Sequence, residues 1–138
     1  CLTITGGNSS ATNPAVSVDG HISATTKSFN IPHPIDENKR LVYGCLEGPE
    51  YGMYARGTGV IGDADEKRIG IELPDYWFKM VGEDYTISLT PHGDFRVWIE
   101  NRTEDGFYVG TNSTNTIRFD WSVIGGRRDA KLEVEPDA

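Results

Sequence analysis

Two carboxylates flank a Gly-Pro pair in this chain, Glu47 and Glu50 around Gly48 and Pro49. Paired carboxylates are what a glycoside hydrolase uses as acid and base, or as acid and nucleophile, at separations of roughly 5 to 9.5 Å. Acids beside a turn also cap backbone N–H groups or pair with arginine. Arg56 is the natural partner here, and the structural role is the expectation. Cys45 stands two residues before Glu47. A thiol nucleophile needs a base in reach, and His33 is the only local histidine. Cys45 also shares an alternating face with Leu41 and Tyr43, where a free thiol packs as a small hydrophobe, so a buried thiol is expected. His21, His33 and His92 are scattered. His33 sits between Pro32 and Pro34, which fixes its ring direction and suits a hydrogen-bonded structural role. No Gly-rich phosphate loop, HExxH motif or CxxC pair occurs. No catalytic, cofactor-binding or metal-binding residue is therefore assigned, and the chain is not expected to be an enzyme.

A second kind of chemistry is aromatic. The run Asp75 to Gly82, DYWFKMVG, reads as a short helix with Asp75 as N-cap and Gly82 just past the C-cap. Its Tyr76 and Trp77 either plug one end of a β-sandwich or form an exposed ledge for sugar rings; the plug is expected. Trp98 and Tyr108 lie on strand-like runs and are candidate stacking partners.

The elements that position these residues are strands. FNIPHP is extended, because Pro32 and Pro34 hold Ile31 and His33 out of the helical region. IDENKR reads as a polar turn and LVYGC as a strand that the Gly48-Pro49 pair breaks. Ile69, Ile71 and Leu73 alternate inward and stop at Pro74. Tyr85, Ile87 and Leu89 share one face, and Phe95, Val97 and Ile99 share another, with Arg96, Trp98 and Glu100 opposite. Ile117, Phe119, Trp121 and Val123 make a strong period-2 face. DADEK at 63–67 reads as a hairpin turn, and KLEVE at 131–135 as a charged edge strand. Turn signals every 8–12 residues predict an all-β antiparallel sandwich or barrel-like domain with one short helix.

The chain divides at residue 29. Residues 1–28 carry only Asp19 and Lys27 as charges and no Phe, Tyr or Trp. Their thin alternating runs (Leu2 and Ile4, Val16 and Val18, Ile22 and Ala24) cannot bury a face alone. They read as an extended, β-rich fibrous stem intertwined in a trimer, or else as a linker. Residues 29–138 form the sandwich module. The 16 glycines and 7 prolines agree with a turn-rich β-protein. The net charge of −8, from 13 basic and 21 acidic residues, argues against nucleic acid and anionic membranes as partners. The first residue is Cys rather than Met, which suggests a fragment or a processed product. Asn8, Asn101 and Asn112 head Asn-x-Ser/Thr triplets, relevant only in a eukaryotic secretory setting that nothing indicates.

Several of these runs together resemble a known pattern. His33-Pro34, Leu41, Gly44-Cys45-Leu46-Glu47-Gly48-Pro49-Glu50, Tyr54-Ala55-Arg56-Gly57, Glu72-Leu73-Pro74-Asp75-Tyr76, Phe119-Asp120-Trp121 and Gly125 to Asp129 occur in order. The set resembles a domain near the distal ends of bacteriophage tail fibres and related virion fibre proteins, over roughly Lys27 to Asp129. The resemblance implies a homotrimeric virion protein, made in the bacterial host cytoplasm, that joins other phage tail proteins and attaches to a host surface glycan or protein. It also admits a purely structural joint, plug or head decoration; a polysaccharide-degrading enzyme is a weaker alternative. Recognition is expected in turns, which vary without disturbing the core. These are the turn from Thr90 to Asp94, NRTEDG at 101–106 and TNSTN at 111–115. The candidate receptor-binding residues are His92, Asp94, Trp98, Asn101, Arg102, Tyr108, Asn112 and Asn115. No cofactor or metal is expected.

Overall fold

A computed structural model describes residues 16, 18–20, 22–62 and 67–130. Eight strands and one helical turn follow in order: β1 (Ser28–Pro32), β2 (Arg40–Gly44), β3 (Gly52–Ile61), β4 (Arg68–Glu72), α1 (Trp77–Met80), β5 (Tyr85–Pro91), β6 (Val97–Arg102), β7 (Gly106–Thr111) and β8 (Ile117–Gly126). All pairings are antiparallel. β1 and β2 form a separate hairpin, and two three-stranded sheets run β3-β8-β5 and β4-β7-β6. The expected all-β fold with one short helix is what the chain adopts.

Alternation decides which faces meet. Val109, Phe119 and Val123 are fully buried, with Ile71, Phe107 and Ile117 beside them, while Arg118, Asp120 and Ser122 face solvent. Each sheet thus turns one apolar face to the other, as in a sandwich. The chain passes between sheets at β3–β4, β4–β5, β5–β6 and β7–β8. The 63–67 segment is therefore no hairpin turn: β3 pairs with β8 and β4 with β7, so it is a crossover. Its residues 63–66 lie outside those described, as do residues 131–135 of the expected last strand and residues 1–15 of the expected stem. Ile22 to Ala24 lie in no strand of this single chain, and Ile22 is exposed.

Helix α1 closes one end of the sandwich, as a plug would. Trp77 is completely buried and Met80 nearly so. The sugar-stacking ledge at Tyr76 and Trp77 is thereby ruled out: the indole sits in the core, edge-on to Tyr85 at 5.8 Å. The helix is also shorter than expected. Its N-cap is Tyr76, with no side-chain cap bond, rather than Asp75; the Trp77 N–H donates to the Pro74 carbonyl instead. Gly82, at φ +82°, takes the left-handed turn just past the helix, as expected. It also leaves the space that the Arg128 guanidinium occupies, 2.5 Å from where a Cβ would stand.

Candidate functional site

At the Gly48-Pro49 turn the two carboxylates meet different surroundings, Glu50 lying against Gly126. Glu47 pairs with Lys27, and both side chains are mostly exposed. Arg56 was the expected partner, but it points outward from the middle of β3 and forms no ion pair among the described residues. Cys45 is exposed rather than buried. It lies one residue beyond β2, where Leu41 and Tyr43 already supply the inward face, and its N–H donates to the Lys27 carbonyl. His33 is at the opposite end of the hairpin, past the Pro32–Arg40 pair, so it is no base for that thiol. Its Nδ1 accepts backbone N–H bonds from Ile35 and Asp36 and knits the 33–39 turn. That is the structural role expected of it.

Several of the motifs singled out in the sequence converge on one joint. Arg127 stacks on Phe29 at 3.8 Å and grips Asp129 with two bonds of 2.9 and 2.6 Å. Phe29 stacks on Tyr43 at 5.6 Å. The Tyr43 hydroxyl meets that of Tyr76 at 2.5 Å, and Tyr76 in turn meets the His33 ring edge-on. Burial first, and then the Tyr76 bond, raise the Tyr43 pKa far above the usual phenol range. Arg127 holds the Asp129 carboxyl below its ordinary value. Backbone bonds from Arg127 to Tyr51 and from Arg128 to Met80 complete the knot. Together, His33-Pro34, ELPDY and GGRRD therefore moor the β1–β2 hairpin to the helix end of the sandwich.

The eight candidate receptor residues do not form one site. The 92–96 and 112–116 turns share the end opposite α1: the Asn112 side-chain oxygen accepts from the Arg96 N–H, and the Thr111 hydroxyl donates to the Arg96 carbonyl. Asp94 is exposed there. Asn115 is held by a reciprocal pair with the Ser113 hydroxyl. The 103–105 turn is at the α1 end. Arg102 there donates to the carbonyls of Glu83 and Tyr85 and lies 4.4 Å over the Tyr85 ring, so its guanidinium is engaged in holding the fold. Asn101 donates to the neighbouring Arg102 carbonyl. His92 instead turns onto the outer face of the β3-β8-β5 sheet, where its Nε2 lies 2.9 Å from Asp120.

Trp98 and Tyr108 do come together, on the outer face of the β4-β7-β6 sheet. Trp98 is opposite Gly110, and its indole covers that glycine; a Cβ there would stand 2.9 Å from the ring. Tyr108 is opposite Gly70 and lies against it in the same way, at 3.4 Å. The two glycines let both rings lie down along the sheet. A register shift between Ile99 and Asn101 leaves Glu100 unpaired in the ladder. Glu100 reaches Arg68 at 3.6 Å, and Arg68 lies 5.1 Å over the Tyr108 ring. Trp98 remains 41% exposed. The result is a flat aromatic surface with one cation and one carboxylate between the rings. Sequence reasoning named both aromatics but missed Arg68 and Glu100. Their signal was the alternation that sends Trp98 and Glu100 outward together.

Among the described residues no three His, Cys, Asp or Glu side chains gather as a metal site would require, and no helix is long and apolar enough to cross a membrane. Compared with known proteins, the chain matches no family model, no curated protein and no solved structure.

Proposed function

We propose that this chain is a virion fibre module that attaches to a bacterial surface glycan through its Trp98–Tyr108 face. One observation carries the reading: two aromatic rings laid flat on glycines of one exposed sheet, with Arg68 and Glu100 between them. Flat rings offer apolar area at low entropic cost, and sugars present apolar C–H faces beside hydroxyls. Arg68 and Glu100 supply donors and acceptors for those hydroxyls. The order of motifs that resembles phage fibre domains supplies the virion setting. Homotrimeric assembly fits the same reading, because among the described residues β3, β5, β4 and β6 are each paired on one side only. Such edges invite a partner, and a trimer would repeat a weak site three times and gain avidity. A panel of bacterial surface polysaccharides tests the attachment. The chain should bind at least one of them, and Trp98→Ala should weaken that binding about tenfold or more.

A second reading has its own observation. Three of the sequence motifs converge on the joint between hairpin and sandwich, not on the aromatic face. A module valued for that joint would be a structural part of the fibre with no receptor. Absence of binding across the panel, with normal assembly into particles, would favour it.

A further inference from the structure

The opposite sheet carries a second arrangement that the glycan reading does not use. Three strands present their outward residues in rows: Tyr54, Ile124 and Thr86; then Arg56, Ser122 and Ser88; then Thr58, Asp120 and Thr90. A groove of about 430 Å³ runs over the second and third rows, and a hollow of about 480 Å³ lies beside Tyr54 and Leu46. Arg56 lines both. Asp120 sits diagonally from Arg56 on the same face, within ordinary side-chain reach. Its two oxygens are engaged elsewhere, one accepting from the Thr58 hydroxyl at 2.8 Å and the other 2.9 Å from His92. Those two bonds hold the Asp120 carboxyl below its usual value. The guanidinium of Arg56 is left with no anion among the described residues, flanked by two serine hydroxyls and by Tyr54, half of whose surface is exposed.

We infer that this face is a distinct binding site for a carboxylate-bearing sugar, seated in the 430 Å³ groove with its acid on Arg56 and its ring over Ser88 and Ser122. A guanidinium matches a carboxylate with two parallel bonds, which an amine or a hydroxyl cannot imitate. Ser88 and Ser122 face the ring hydroxyls, and the fixed Asp120 accepts from a further one. Discrimination follows from charge: a neutral sugar leaves Arg56 unpartnered, and an acidic one does not. The inference is independent of the virion assignment and of the Trp98 face.

The test is a titration of the full chain with glucuronic acid and, separately, with glucose, followed by amide and arginine side-chain NMR shifts. Glucuronic acid should give saturable shifts at Arg56, Ser88, Asp120 and Ser122, and glucose should bind about tenfold more weakly or not at all. Arg56→Gln, which alters an exposed side chain, should keep the spectrum of the folded protein and remove the preference. Absence of shifts at these residues would overturn the inference, as would equal response to both sugars or an unchanged response in Arg56→Gln. Retained binding in Trp98→Ala keeps this site separate from the other face, and loss there would overturn it too.

Discussion

At the scale of single residues, tight packing rather than charge sets the strictest demands. Gly106 is the sharpest case: a Cβ there would stand 1.9 Å from the Ile71 carbonyl oxygen, which is backbone and has nowhere to go. Gly48, in the Gly-Pro turn, has nothing within 4 Å of its missing Cβ. Gly106→Ala should cost about 3 kcal/mol or more of stability, and Gly48→Ala should stay within about 0.5 kcal/mol. Denaturant midpoints for the two variants check both. Acid stability is also decided here. Asp129 is drawn below its ordinary value of 3.8 by Arg127. A carboxyl with a depressed folded-state value contributes stability above its unfolded value, and that contribution fades as pH falls through the folded one. Thermal unfolding from pH 7 down to pH 2 should show this loss below about pH 4, and Asp129→Asn should make that limb shallower. An identical slope in the variant would mean that Asp129 contributes nothing to it.

At the scale of elements, the joint explains why the motif residues sit where they do. Arg127 is the keystone: its side chain is only 10% exposed, wedged between Phe29 and Asp129. Arg127→Ala should release the β1–β2 hairpin while leaving the sandwich intact. Hydrogen exchange should then quicken at 28–44 and stay slow in β7 and β8; uniform loss of protection would show the hairpin to be integral to the core instead. Much of this element structure was legible in the sequence. The period-2 faces of β4, β5, β6 and β8 came straight from alternation, because a residue's side of a strand depends only on parity. Which strand lies beside which did not. The 63–67 segment looked like a hairpin turn because local sequence cannot distinguish a turn within one sheet from a crossing between two. The helix cap failed for a related reason: Asp75 is a good capping residue, but the tertiary contacts of Tyr76 and Trp77 fix the first turn one residue later.

At the scale of the whole molecule, candidate-site residues were legible only in part. Trp98 and Tyr108 were recognisable as aromatics on strands, and the fold brought them to one face. The turn residues were chosen because turns tolerate variation, yet the topology sends 92–96 and 112–116 to one end and 103–105 to the other. Arg102 shows why no local signal could warn of this: its partners are carbonyls of Glu83 and Tyr85, far back along the chain. Exposed strand edges bear on assembly at this scale. Light scattering at micromolar concentration should report a mass three times that of the 15.2 kDa chain, whereas a monodisperse monomer would count against the trimer.

Attachment through the aromatic face is tested most directly at the Trp98 indole itself. In a spectrum that resolves the indole N–H signals, adding an oligosaccharide from a bound bacterial polysaccharide should shift the Trp98 signal in a saturable way. The buried Trp77 signal should stay where it is. A Trp98 signal unmoved at saturating ligand, while the polysaccharide still binds, would refute attachment through this face.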